Sequence, residues 1–259
     1  MILNTRQTVK NISTIVWTIK SLLAIFDLLF KPKFQRKMRW SKKPTNDSKK
    51  ANFKEYIDFL MKYRNSQIPI ALGTIDGCDK YTVSDGNNRI HAIWFFMNHP
   101  YKLYDEWYTD IINYIKFEPE LTNYKDILIN EIKSLSYKKI YHCTFDEACI
   151  DGNKDINEEE YAPTRKVIKR LTAEFKKLKK KFWFGHPDKF DCETEIKIVV
   201  NHFENYTYDE LSKNYLEVHS KQQKMDEFDL LAASLGSLKS FIIEDQILRA
   251  NLKLQVDAY

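Results

Sequence analysis

The segment Ser84-Asp85-Gly86-Asn87-Asn88-Arg89 has the residue types that phosphate chemistry needs. It follows a short β-branched and aromatic run, Tyr81-Thr82-Val83, and precedes a stretch of apolar residues at helical spacing that Pro100 ends. A helix start exposes unpaired backbone N–H groups and a partial positive charge, which together favour an anion. Gly86 has no Cβ, so the backbone can turn sharply and approach a ligand closely. Asn87 and Asn88 supply amide donors and acceptors in tandem, and Arg89 adds a planar, permanently charged donor. Asp85 can hold a metal-bound water or orient Arg89. The same residues also make an ordinary polar turn with Asp85 as the helix cap, and their types alone leave both readings open.

Two other segments carry candidate chemistry. In Pro32-Lys33-Phe34-Gln35-Arg36-Lys37-Met38-Arg39-Trp40, Gln35 and Arg36 either complete a pocket or lie on the surface beside a packed Trp40. Residues 165–181 hold nine Lys or Arg and one acid, Glu174. Lys169, Arg170, Lys176, Lys177 and Lys180 are the candidates there for phosphate contacts to nucleic acid. The alternative is a solvated face whose stripe of Ile168, Leu171, Phe175, Leu178 and Phe182 packs on the core. The net charge of +5 is mild and lysine-derived, 33 Lys against 8 Arg, so it does not by itself point to nucleic acid.

Cysteine is sparse. Cys78, Cys143, Cys149 and Cys192 show no paired spacing, and with His142 and His186 they match no ligand frame, so no metal site is expected. Ordinary thiols in a reducing compartment are the reading. His91 and His99 are expected to be structural.

Several elements must position these residues. Ile12, Ile15, Ile19, Leu22 and Leu23 recur at helical spacing, predicting a helix and then a strand leading into residues 33–36. Asn52 caps a predicted helix with Phe53, Ile57, Leu60 and Met61 inward. Strands are expected at 68–72, 81–83, 139–145 and 196–200. Helices are expected at 89–98, within 105–135, and at 164–182, 209–216 and 226–241, with loops at 41–50 and 151–160. This order predicts an α+β fold. The most apolar stretch, residues 12–30, carries Lys20 and Asp27 and stops at Pro32, so no membrane span is expected. No small-residue cleavage site follows it, and a cytoplasmic location is expected.

The order of these motifs resembles the N-terminal domain family of GmrSD-type restriction enzymes, whose fold is ParB-like. That family runs from a Gln-Arg segment with a following Trp, through a helix and a strand, to an Asp-Gly-Gln-Gln-Arg loop that opens an apolar helix. Here the same order reads Gln35-Arg36 with Trp40, then Phe53 to Met61, then Ile68 to Leu72, then Asp85-Gly86-Asn87-Asn88-Arg89. The resemblance implies a small mixed sheet with flanking helices over residues 1–104 and a mainly helical region over 105–259. It implies binding of a nucleoside triphosphate with Mg2+ through Gln35, Arg36, Gly86, Asn87, Asn88 and Arg89. Hydrolysis would use Asp85, Asn87, Asn88 and Arg89, in a protein acting on or near DNA in restriction–modification.

Departures accompany the match. Both loop glutamines are asparagines, which shortens their reach by about 1.5 Å. The family's later Asn-x-x-Gly-x-x-Leu turn is echoed only faintly by residues 219–225, with His219 and Gln222 at the key positions. These changes also suit a non-catalytic interaction module that keeps the fold. No nuclease motif follows, so any cleavage of DNA would come from a separate partner.

Overall fold

The computed structural model describes residues 10–32, 40, 52–74, 80–151 and 163–222. In chain order its first elements are β1 (Asn11–Thr18), α1 (Ile19–Ala24), β2 (Leu29–Phe30), α2 (Phe53–Tyr63), β3 (Ile70–Thr74), β4 (Tyr81–Asp85) and α3 (Asn87–Asn98). There follow α4 (Thr109–Phe117), α5 (Lys125–Ser134), α6 (Tyr137–His142), α7 (Phe145–Cys149) and α8 (Arg165–Lys181). The series ends with α9 (Cys192–Glu195), β5 (Lys197–Glu204) and α10 (Tyr208–Gln222). The fold is mixed α+β, as the pattern of the sequence implies. The chain divides into two compact units, one of Met1–Arg39, Gln67–Asn87 and Ile198–Tyr259, the other of Trp40–Ser66 and Asn88–Lys197.

The first unit is built on a five-stranded sheet in the order β1-β5-β3-β4-β2. β3 pairs in parallel with β5 and antiparallel with β4, and β4 pairs in parallel with β2. Ile70, Leu72, Ile198 and Val200 are fully buried. α10 packs on β4. It closes a cluster in which Phe203, Leu211 and Tyr215 are buried and Ala71, Tyr206, Tyr208 and Leu216 pack around them. Alternation explains that cluster, because Ala71 and Gly73 pair with Asn201 and Phe203 and so share one face of the sheet.

Two expectations about elements fail here. Residues 12–18, read as the first part of a helix, form β1. In that strand Ile12, Thr14 and Val16 are exposed while Ser13, Ile15 and Trp17 are half-buried, a period of two. Six of its eight residues are β-branched or aromatic, types that lose rotamer freedom in a helix and pack well on a pleated surface. The helix begins only at Ile19, where the Thr18 side chain accepts from Ser21 N at 3.1 Å.

Residues 139–145, read as a strand, lie in α6 and α7. Ser136 caps α6, and Thr144 caps α7 in a reciprocal box with Glu147. Tyr137, Ile140 and Tyr141 are buried at steps of three and one, which fits a helical stripe.

The second unit is helical around an aromatic core. The Phe96 ring lies 5.5–6.2 Å from those of Tyr104, Tyr137, Phe182 and Phe184. α2 runs from its Asn52 cap to Arg64, a left-handed residue (φ 54°) whose N–H bonds Leu60 O. Phe53, Ile57, Leu60 and Met61 are buried as the sequence spacing predicts.

Gly73 gives a direct check on the sheet–helix packing. A Cβ built there would stand 2.6 Å from Leu211 Cδ1, and Leu211 is itself fully buried. Gly73→Val should therefore destabilise the protein by about 1–3 kcal/mol despite the better strand propensity of valine. Urea unfolding measures this, and an unchanged midpoint would refute the packing.

Candidate functional site

β4 delivers the turn that the sequence singles out. Leu72 pairs with Val83 while Ala71 pairs with Asp85, so Ser84 is the extra residue of a β-bulge. Bulges bend a strand and re-aim its side chains, and this one immediately precedes the turn. Gly86 then adopts φ 94°, a conformation that glycine takes without strain, and α3 starts at Asn87. The Asp85 carboxylate folds back to accept from Gly86 N at 2.6 Å. One N–H of the turn is therefore occupied, and a carboxylate sits where a bare anion would be repelled. No acidic side chain lies in the first turn of α3, so its positive end is not neutralised by its own residues.

The boundary between the two units falls between Asn87 and Asn88. On the second unit, Arg89 is only 7% exposed. Its charge acts on Tyr56 of α2. Burial pushes the Tyr56 phenol up to about 12, and the nearby guanidinium pulls the other way. The Trp40 ring meets the Tyr56 ring edge-on at 5.5 Å. Phe53 and Phe95 pack at 5.8 Å and hold α2 against α3. Trp40 thus is packed, while Gln35 and Arg36 lie outside the described residues. His219 and Gln222 fall within α10 rather than in a turn before a helix.

Buried polar atoms without a partner mark places where a ligand or water is owed. Each costs about 1–3 kcal/mol if left unmet. On the second unit they include Asn52 Nδ2, Tyr56 Oη and Asn88 Oδ1. On the first they include Ser84 Oγ, at the bulge, and Ser212 Oγ, on the helix that packs against β4. Sequence reasoning assigns Asn52 only a capping role, gives Ser84 no role within the segment it opens, and does not single out Tyr56 or Ser212. Their spacing carries no signal; only burial without partners does.

The basic helix divides into two sets of cations. All five sequence-assigned residues, Lys169, Arg170, Lys176, Lys177 and Lys180, are exposed. Arg170 and Lys177, however, both bond the buried Glu174 carboxylate, at 3.1 and 2.9 Å, and Arg170 also lies over the Tyr114 ring. Lys179 donates to Cys143 O, and Lys181 to Trp107 O and Asp110. The neighbouring charge of Lys189 adds to burial in lowering the Lys179 pKa. Val167 joins Leu171, Phe175 and Leu178 on the buried face, with Ile168 only half-buried.

Among the described residues no three His, Cys, Asp or Glu side chains gather as a metal centre would. A separate open groove of about 290 Å³ is lined by Tyr101, Asp105, Glu106, Thr109, Ile112, Asn113 and Lys116, none of them assigned from the sequence. No helix among the described residues is long and apolar enough to cross a membrane. No protein-family model matches this chain, and neither does any curated protein or solved structure.

The thiols offer a second check. Burial pushes Cys149 up to about 12 and raises Cys192, which is fully enclosed beside Met97, well above its ordinary value. The thiolate is the nucleophile, so both should resist iodoacetamide in the native protein at pH 7.5 and react once it is unfolded. Peptide mass spectrometry reads the sites, and native labelling of either would contradict the burial.

Proposed function

We propose that this chain is a nucleotide-binding protein of the ParB-like class, related to the N-terminal domains of GmrSD-type restriction enzymes. A nucleoside triphosphate would bind at the start of α3 and be hydrolysed slowly, in a protein that works on or near DNA. The observation that carries this reading is Arg89, a buried guanidinium on the first turn of α3, three residues after a left-handed glycine. A planar cation next to a helix N-terminus suits the oxygens of a phosphoryl group. The mixed sheet is compatible with a ParB-like core.

Asp85 bears on the form of the ligand. Its carboxylate disfavours a bare anion, whereas Mg2+ carried on the phosphates of a nucleotide offsets that repulsion. Mg2+ is held by one or two carboxylates, waters and substrate phosphates rather than by a protein cage, and Asp85 suits that habit as one such carboxylate. When bound, the ion would neutralise charge on the phosphates. The chain's own part is to orient the phosphate through Arg89 and the amides of Asn87 and Asn88.

Titration of the purified chain with labelled nucleoside triphosphates, with and without Mg2+, tests the reading. Binding is expected, and Arg89→Ala should weaken it roughly ten- to a hundredfold, as for a lost hydrogen bond to a charged group. Absence of binding to every triphosphate, or normal binding by a folded Arg89→Ala, would end it. A second reading, a non-catalytic module, is favoured by the two asparagines standing where the related loop has longer glutamines. Binding with no phosphate release would select it.

The α8 face supports a contact to the nucleic acid backbone. Lys169, Lys176 and Lys180 are the residues to change, since Arg170 and Lys177 serve Glu174. Replacing those three lysines with glutamine should leave the melting temperature unchanged. It should flatten the salt dependence of duplex DNA binding by about 0.9 per lysine on a log–log plot. An unaltered slope, or no binding by the wild type at low salt, refutes the contact.

A further inference from the structure

The two edges of the five-stranded sheet are unlike. β2 is two residues long, and Lys31 and Pro32 follow it, so it offers little backbone for another strand to join. β1, at the other edge, runs for eight residues, and among the described residues its one neighbour in the sheet is β5. An exposed edge is commonly guarded by charged residues or proline, and β1 contains neither. The charge just before it, Lys10, is paired with Glu210 of α10.

The side chains of β1 add a pattern. Thr14 Oγ1 donates to Asn201 Oδ1 at 3.0 Å, and Asn201 pairs with Ala71, which packs in the cluster beneath α10. Ile12, Thr14 and Val16 therefore extend the face that α10 covers, yet they stay uncovered. Ile12 is 52% and Val16 58% exposed. These two β-branched residues stand two positions either side of Thr14. Consider a second copy of β1 laid antiparallel, with a two-fold axis at Thr14. Each Ile12 then faces the other copy's Val16, and the two Thr14 side chains meet on the axis. The strand is its own complement, as a two-fold interface requires, and the pairing brings no like charges together within it.

We propose that β1 is a homodimer contact, through which two copies of this chain join edge to edge into one continuous sheet. The inference is independent of the nucleotide reading. Backbone N–H and C=O groups of the edge supply the attraction, and the Ile12–Val16 contacts fix the register.

Sedimentation of the full chain over a range of concentrations tests this. A monomer–dimer equilibrium is expected, with hydrogen exchange at residues 11–17 slowing as the concentration rises. Thr14→Lys sets two ammonium groups together on the axis and should weaken the dimer about tenfold or more. Its melting temperature in dilute solution should change little, because position 14 is exposed. Ile12→Glu and Val16→Lys should each weaken the dimer alone. Combined in one chain, they place each new carboxylate opposite the other copy's new ammonium and should recover most of the loss.

A wild type that is monomeric at every concentration overturns the proposal. So does a dimer that Thr14→Lys leaves intact, since the copies then meet elsewhere. Failure of the combined variant to recover overturns the pairing about Thr14. Protection of residues 11–17 that does not vary with concentration gives the edge to another segment of the same chain, and overturns the dimer contact.

Discussion

Arg89 carries a permanent charge yet is almost wholly removed from solvent, and that demand shapes the second unit. Taking a guanidinium out of water is costly unless acceptors or negative charge surround it. A rigid setting is required, and α3 supplies it. Ile90, Ala92, Ile93, Phe95, Phe96 and Met97 are all buried, so the helix cannot swing Arg89 out without unpacking most of its length. α2 is held against this helix by Phe53 and Phe95, which places Tyr56 within electrostatic reach of the guanidinium. The left-handed Gly86 sets where α3 starts, and hence which residue occupies the third position of its first turn.

Much of this frame was readable from residue types. Asn52 announced α2, with Phe53, Ile57, Leu60 and Met61 at helical spacing, and all four are buried. Tyr81-Thr82-Val83 and the run after Glu195 announced β4 and β5. The misreadings have a common cause. In β1 Ile12 and Ile15 are three apart, which looks helical, yet they lie on opposite faces of a strand whose pairing with a distant strand decides the conformation. Around residues 139–145 the aromatic and β-branched content looked like a strand, but Ser136 and Thr144 are caps whose hydrogen bonds commit the backbone to helix. The turn at 85–89 was visible because glycine, tandem amides and arginine are unusual together. Asn52 and Tyr56 were not, since a cap and a helix tyrosine look the same whether or not their spare atoms have partners.

The basic helix shows why a tally of charges misleads. Glu174 is 5% exposed and accepts from Arg170 and Lys177, which are then parts of the packing as much as of the surface. Lys179 and Lys181 reach backbone carbonyls of other elements. These anchored cations fix the helix and limit how far the remaining lysines can move. Lys169, Lys176 and Lys180 recur at intervals of seven and four, so they line one ridge of α8. The field outside the protein is therefore that of a short row of charges, smaller than nine cations would suggest.

The position of β5 carries a consequence for how the polypeptide is made. β1 touches only β5 within the sheet, and β3 has β5 as its parallel partner, with Ile70 opposite Val200. As the chain leaves the ribosome, β1 must wait for every element from α1 to α9 to be synthesised before its neighbour exists. The helices from α2 to α9 are complete by then, so the second unit has its elements before β5 exists. The sheet is thus the late event, sealed by one strand that enters between two that were translated long before it. Until that insertion the hydrogen-bonding edges of β1 and β3 stand open, and an open edge is where a nascent chain invites the wrong partner.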